Sequence, residues 1–75
     1  MGKEKKEWLT NLANNVKARR KQLGFSQQLV AEKSRLSVGT VAKLEASAVD
    51  NPTLDTIEAL GVALEEKDSL RLLRK

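Results

Sequence analysis

The chain contains no cysteine and no histidine among its 75 residues. The absence of cysteine excludes a disulfide framework and a thiolate metal site. The absence of histidine removes the usual general base at neutral pH and the commonest metal ligand. Because the sequence also has no glycine-rich phosphate loop and no carboxylate pair in a shaped pocket, we predict no catalytic residues, no metal site, no cofactor and no enzymatic activity.

Aromatic residues and long apolar runs are also scarce. The chain has one Trp, one Phe and no Tyr, and its longest apolar run is far shorter than a membrane-spanning segment. The N-terminal residues lack the apolar core of a signal peptide. We therefore expect no membrane partner and a cytoplasmic location. A chain of this length forms one small core, which is marginal unless its helices pack well or it dimerises.

Positive charge is concentrated in the first part of the chain. Residues 1–47 contain ten Lys or Arg and four Asp or Glu, a net charge of +6. Residues 48–75 contain four Lys or Arg and six Asp or Glu, a net charge of −2. A basic half is expected for a polyanion partner, because Lys and Arg contacts to phosphate release counterions. Solubility alone is the other explanation of this charge.

A helix-turn-helix is predicted in residues 26–47, with helices over about residues 26–34 and 38–46. Ser26 and Ser37 precede the two helices, where each hydroxyl can accept a hydrogen bond from an unpaired backbone N–H group. Large apolar residues flank each serine at the spacing of a hydrophobic staple: Phe25 with Val30, and Leu36 with Val41. Such a unit commonly presents its second helix to the major groove of DNA.

A longer helix is predicted before this unit, over residues 8–23. Four apolar residues recur there at helical spacing: Leu9, Leu12, Val16 and Leu23. Gly24 follows where a left-handed helix end is favoured. Arg20 lies beside the apolar stripe and Glu45 lies late in the second motif helix, so we predict a partly buried ion pair between them. Three further cations of this helix are predicted to form an exposed basic flank: Lys17, Arg19 and Lys21.

The second half of the chain predicts a further helix that begins with Asn51 as its cap and Pro52 at its first position. Thr53 is the alternative cap, and Gly61 is predicted to end the helix. Residues 62–75 would form either one helix or a turn followed by a helix. Their leucines exceed what a small domain can bury, which favours self-association through this end, with fraying as the alternative.

Together these elements predict an all-α domain of four or five short helices. The sequence contains no internal repeat, no low-complexity segment and no convincing strand signal. Residues 1–7 are expected to form a flexible N-terminal arm, and residues 8–75 a single domain. Contact of the basic arm with DNA is the alternative to simple fraying. Trp8 is expected to cover the edge of the core, with a dimer contact as the alternative.

The spacing of the motif residues resembles that of a known family. The residues that carry the resemblance are Leu23-Gly24-Phe25-Ser26-Gln27-Gln28, Val30-Ala31, Leu36-Ser37, Thr40-Val41, Leu44-Glu45 and Pro52-Thr53-Leu54-Asp55-Thr56. The series is similar to the lambda-repressor-like, Cro/CI-type helix-turn-helix family over about residues 16–64. This resemblance implies a compact bundle with the helix-turn-helix as helices two and three. It also implies a nucleoid-associated, sequence-specific regulator of transcription that binds double-stranded DNA as a homodimer, most often a repressor.

The resemblance also implies roles for individual residues. Gln27 would bond a DNA phosphate and brace the first recognition residue. The start of the recognition helix corresponds to three residues: Ser37, Val38 and Gly39. Thr40 would touch the DNA backbone, and Lys43 would face a base or phosphate one turn later, with a solvated surface charge as the alternative for Lys43. Arg20 and Glu45 correspond to a structural ion pair of several phage repressors.

Two features of the motif are unusual, and the first is the composition of the exposed face of the second motif helix. Val41 and Leu44 are expected to point inward, which leaves Val38, Gly39, Ala42 and Lys43 on the exposed face. Of these only Lys43 carries a long hydrogen-bond donor, whereas base recognition favours Arg, Asn or Gln. Because this face has few hydrogen-bonding side chains, an alternative function remains open. The same fold could serve as a protein-binding module with weak DNA binding, such as an antitoxin, anti-repressor or co-regulator.

The other departure lies in the turn. Arg35 occupies a position where the family often has Gly, because the backbone there is commonly left-handed. A non-glycine residue in that conformation costs about 1 kcal/mol. Either Arg35 recovers this free energy by contacting a DNA phosphate, or the turn has a slightly different shape.

Overall fold

The computed structural model describes residues 6–49 and 51–75. The helical segments follow in the order α1 (Glu7–Gln22), α2 (Gln27–Ser34), α3 (Val38–Glu45), α4 (Leu54–Ala63) and η1 (Ser69–Leu73), a short 3-10 helix. No strand occurs in these ranges, so the predicted all-α class is confirmed, with the helix-turn-helix as α2 and α3. Most of the expected N-terminal arm, residues 1–5, lies outside the described residues.

One core joins all five segments. Its largest fully buried side chains come from four helices and the turn after α4: Leu12, Val16, Val30, Val41, Leu60 and Leu64. Leu72 of η1 packs into the same cluster, and Trp8 packs against its edge. Buried residues lie at helical spacing, as Leu12 and Val16 do in α1 and Val41 and Leu44 do in α3, so burial of one face per helix positions the bundle. None of the described helices is long and apolar enough to cross a membrane.

Side-chain caps fix the starts of three of the α-helices. The Leu29 N–H donates to Ser26 Oγ at 3.0 Å, and the Thr40 N–H donates to Ser37 Oγ at 3.0 Å. Both predicted serine caps are therefore confirmed. At the start of α4 it is Thr53 whose hydroxyl accepts, from the Thr56 N–H at 3.2 Å.

The prediction that Asn51 caps α4, with Pro52 at its first position, is wrong. The alternative prediction, that Thr53 is the cap, is confirmed. The Thr53 and Thr56 hydroxyls lie 3.0 Å apart, so two threonines three residues apart make two contacts across the first turn. Pro52 precedes the helix instead of opening it. The helix consequently begins at Leu54, one residue after the threonine cap.

All four α-helices end in the same backbone arrangement. The residue after each final turn is left-handed: Gly24 (φ 74°), Arg35 (φ 63°), Ser47 (φ 58°) and Glu65 (φ 59°). The next N–H group then donates to a carbonyl five residues earlier, for example Phe25 to Arg20 at 3.0 Å and Glu66 to Gly61 at 2.8 Å. This is the Schellman arrangement, in which glycine is the favoured left-handed residue. Only α1 uses it.

Gly61 does not end α4, which continues to Ala63, so this prediction is wrong. Gly61 is buried, and a Cβ atom added to it would lie 2.8 Å from Ser69 Cβ. The glycine is needed because η1 packs directly against the backbone of α4, a reason that does not involve its φ angle. The chain after α4 forms a turn followed by a helix, one of the two predicted alternatives.

The leucine-rich end is held to the bundle more firmly than the sequence indicates. Leu72 is buried, and Asn15 Nδ2 of α1 donates to the Leu72 carbonyl at 2.9 Å. Asn11 Nδ2 donates to the Leu73 carbonyl at 3.0 Å. The expectation that this end has more leucines than the domain can bury therefore applies to Leu70, which remains 51% exposed.

Candidate nucleic-acid interface

Helix α3 has one buried face and one exposed face. Val41 and Leu44 are buried in the core, as predicted from their spacing. On the opposite side Val38 is 49% exposed, and Gly39 and Lys43 are exposed as well. Packing of the inner face thus fixes which residues of α3 a groove of DNA could meet.

The exposed start of α3 carries two hydroxyl groups in contact. Ser37 Oγ caps the helix, and it also lies 2.8 Å from Thr40 Oγ1. The hydroxyls therefore orient each other beside the unpaired N–H groups of the first turn. Hydroxyl donors and backbone N–H groups at a helix N-terminus are suited to an anionic oxygen such as that of a phosphate.

The turn between α2 and α3 has the predicted left-handed residue. Arg35 has φ 63° and ψ 28°, and its side chain is exposed. The Leu36 N–H donates to the Ala31 carbonyl at 3.0 Å, which closes the end of α2. Because Arg35 has a Cβ atom, the turn stores strain of about 1 kcal/mol that glycine would not.

Arg20 and Glu45 form the ion pair that the sequence predicts. Arg20 Nε lies 2.6 Å from Glu45 Oε2, and Arg20 Nη2 donates to Glu45 Oε1 at 3.0 Å. The side chains are only 13% and 4% exposed, so the pair is shielded from water. This two-point contact ties the last turn of α1 to the last turn of α3.

Glu45 has a further partner that the sequence does not reveal. Gln27 Nε2, at the first position of α2, donates to Glu45 Oε1 at 3.0 Å. Arg20 Nη1 also donates to the carbonyl of Phe25, the residue before the serine cap of α2. Gln27 and Glu45 are both identified by the resemblance, but only the packing of α2 on α3 brings them together.

The environment of Glu45 favours its charged form. Burial acts to raise the pKa of the Glu45 carboxyl, but hydrogen bonds from Arg20 and Gln27 and the positive charges of Arg20 and Lys17 together lower it below its ordinary value. The same pairing raises the pKa of Arg20, mainly through its hydrogen bond to Glu45. Both directions agree with the two short contacts between the charged side chains.

Arg19 has a structural position that the sequence does not indicate. Its Nε donates to the Leu64 carbonyl at 3.0 Å, and its Nη2 donates to the Glu65 carbonyl at 3.3 Å. The guanidinium thus caps the end of α4, where cations and hydrogen-bond donors are favoured. Of the three residues predicted as an exposed basic flank, only Lys17 and Lys21 are exposed.

No group of acidic side chains in residues 6–49 and 51–75 has an arrangement that could hold a metal ion. The polar groups described at the turn and at the start of α3 are instead a cation, Arg35, and the hydroxyls of Ser37 and Thr40. Their chemistry suits phosphate oxygens and base edges.

A helical bundle whose second and third helices form a capped helix-turn-helix, with the third helix exposed at its start, defines a helix-turn-helix domain. The sequence matches the family described as Helix-turn-helix over residues 16–68. The chain belongs to this family, and specifically to its lambda-repressor-like, Cro/CI type. It is accordingly a DNA-binding regulator of transcription.

Two solved structures share the fold. Both are crystal structures of point mutants of the restriction-modification controller protein C.Esp1396I, each 24% identical to this chain. One covers 93% of this chain and 90% of its own length with a TM-score of 0.84. The other covers 92% and 93% with a TM-score of 0.82. No curated protein sequence gives a significant match to this chain.

Proposed function

We propose that this chain is a repressor that binds a defined sequence of double-stranded DNA as a homodimer, with α3 in the major groove. The observation that carries the proposal is the orientation of α3, whose Val41 and Leu44 anchor it in the core while Val38 and Lys43 face outward. The basic first part of the chain supports a polyanion partner.

Phosphate contacts are proposed for the residues around the turn and the first turn of α3. Arg35 and Lys43 supply exposed cations, and Ser37 and Thr40 supply hydroxyls. Gln27, at the start of α2, supplies an amide. Such contacts position a protein on DNA but carry little sequence information.

Base contacts are proposed for Val38 and Gly39, with Lys43 as the long donor. Val38 can pack on a thymine methyl group, and Gly39 lets the helix backbone approach a base pair closely. This face offers few paired hydrogen bonds. We therefore propose that DNA shape and phosphate contacts contribute much of the discrimination between sequences.

A homodimer is supported by the apolar side chains left exposed on α4 and η1. Val62 is 76% exposed between the buried residues Gly61 and Ala63, and Leu70 is 51% exposed although Leu72 of the same segment is buried. Two copies related by a two-fold axis would contact half-sites about 10 base pairs apart. Sedimentation of Val62→Glu, with Thr10→Glu as a charge-matched control on α1, tests this surface. The wild type and the control are expected to dimerise and Val62→Glu to remain monomeric, and a wild type that stays monomeric at high concentration would contradict the homodimer.

Repression is supported by the size of the proposed complex, because a dimer covering two adjacent turns of promoter DNA would exclude other proteins from them. A control function also agrees with the fold neighbour, which is named as a restriction-modification controller. Gel shifts with random duplexes at low and high salt test the DNA-binding basis of the proposal. Binding that weakens as salt rises is expected, and no binding even at low salt would refute it.

The alternative is a protein-binding module with the same fold. The plain outer face of α3, with Val38 and Gly39 at its start, is the observation that favours it. A folded protein that binds no duplex at low salt would support this alternative.

A further inference from the structure

The carboxylate of Glu45 connects the core ion pair to the first residue of α2. Glu45 Oε1 accepts from Arg20 Nη2 and from Gln27 Nε2, both at 3.0 Å. Glu45 Oε2 is occupied by Arg20 Nε at 2.6 Å. One buried carboxylate thus contacts both a partly buried guanidinium and an amide at the proposed DNA surface.

We propose that Glu45, itself held by Arg20, is a positioning residue for the contact that Gln27 makes with a DNA phosphate. The inference rests on the proposed DNA-binding function and assigns the ion pair a part in it beyond stabilising the fold.

The chemistry of the two side chains fixes how Gln27 is oriented. A carboxylate can only accept hydrogen bonds, whereas a glutamine amide has two N–H donors at one end and a carbonyl acceptor at the other. Gln27 must therefore turn Nε2 toward Glu45, because its Oε1 would be repelled there. One N–H is used by Glu45, and the second N–H remains for an anionic acceptor such as a phosphate oxygen.

Arg20 determines where the Glu45 carboxylate lies. It binds both oxygens of Glu45, and its Nη1 donates to the Phe25 carbonyl at 3.0 Å. Phe25 precedes the cap residue Ser26, so the same guanidinium holds the backbone entry to α2 and, through Glu45, the Gln27 side chain. A glutamine already ordered in the free protein loses less side-chain entropy on binding, which corresponds to about threefold to tenfold in affinity.

A double-mutant cycle on DNA binding tests the coupling. The four proteins are the wild type, Gln27→Ala, Glu45→Gln and the double variant. The duplex is one selected by the wild type from a random pool. Glu45→Gln keeps the shape of the side chain but leaves one acceptor oxygen for Arg20 and Gln27 together. Circular dichroism first verifies that each protein is folded at the temperature used, and Glu45→Asp, which keeps the charge on a shorter side chain, replaces Glu45→Gln if that variant is unfolded.

Glu45→Gln is expected to weaken binding about threefold to tenfold when Gln27 is present, and less than about twofold when residue 27 is alanine. A purely structural role for Glu45 would weaken binding equally in both backgrounds and would overturn the inference. Unchanged affinity of Gln27→Ala would also overturn it while leaving DNA binding intact. If the wild type binds no duplex, the proposed function itself fails and the inference fails with it.

Arg19→Lys provides the matched control. It disturbs an arginine of the same helix that caps α4 and does not touch Gln27 or Glu45. The variant is expected to lose stability yet keep the wild-type affinity for the duplex. Weakening as large as that of Glu45→Gln would show that loss of stability alone lowers affinity, and the coupling to Gln27 would not stand.

Discussion

A Cβ atom at Gly61 would lie 2.8 Å from Ser69 Cβ, so α4 and η1 meet at the one residue of α4 that has no side chain. The Ser69 Cα atom lies 3.2 Å from the same point, and the Glu66 carbonyl oxygen 3.4 Å from it. These are largely backbone contacts that cannot rotate away. Docking of η1, and with it burial of Leu72, therefore depends on glycine at this position.

Gly61→Ala is expected to destabilise the fold although alanine favours helix formation. Overpacking costs about 1–3 kcal/mol, which exceeds the helix gain of about 1 kcal/mol. The expected net loss of about 1 kcal/mol would lower the Tm by roughly 4–8 °C. Thermal unfolding followed by circular dichroism measures it. Gly39→Ala is the control, because the nearest atom to its added Cβ is 3.9 Å away, and it should not lower the Tm. An increase in Tm for Gly61→Ala would contradict the packing argument.

Arg35→Gly and Glu65→Gly form a matched pair at two left-handed helix ends. Both residues have φ near 60° and exposed side chains, so each substitution should stabilise the protein by up to about 1 kcal/mol. Their effects on DNA binding should differ. Arg35→Gly should weaken binding and reduce the slope of log affinity against log salt by about 1, whereas Glu65→Gly should leave both unchanged. Equal binding by the two variants would remove Arg35 from the interface.

Acid should weaken the contribution of Glu45 to stability. Its pKa is lowered in the folded protein, so the contribution is complete above the ordinary carboxyl pKa of about 4.3 and is lost as the pH falls through the lower folded value. Urea unfolding of the wild type and Glu45→Gln between pH 7 and pH 3 should give free energies of unfolding that converge at low pH. A difference that stays constant over this range would mean that the Glu45 charge does not stabilise the fold.

Lys43→Ala is expected to weaken DNA binding and to reduce the salt slope by about 1. Because Lys43 is exposed, its loss should change the free energy of unfolding by no more than about 0.5 kcal/mol. Lys67→Ala, an exposed lysine after α4 and outside the helix-turn-helix, serves as the control and should leave affinity and stability unchanged. If both variants bind like the wild type, Lys43 is a solvated surface charge and α3 is not in the groove as proposed.

Features that depend on a few neighbouring residues were predictable from the sequence. The serine caps of α2 and α3, the left-handed turn at Arg35 and the inward face of α3 all follow from local spacing. The Arg20–Glu45 pair was also predictable from the sequence, because both residues lie beside apolar stripes that must face each other.

Features that depend on packing between distant segments were not. Gly61 was mistaken for a helix end because its contact with Ser69 exists only once η1 docks. Arg19 looked like a surface cation because the carbonyls it binds lie 45 and 46 residues away. The Gln27–Glu45 contact was missed for the same reason, since nothing in the spacing shows which end of α3 reaches the start of α2.

The central claim is that the outward face of α3 binds a defined DNA sequence as part of a two-fold dimer. Selection of bound duplexes from a random pool, followed by sequencing, tests it most directly. The predicted result is enrichment of a two-fold-related sequence with half-sites about 10 base pairs apart. The enrichment of this sequence should be weaker or absent when Lys43→Ala replaces the wild type. Recovery of a pool with no enriched sequence, or of an identical sequence by both proteins at equal affinity, would contradict the claim.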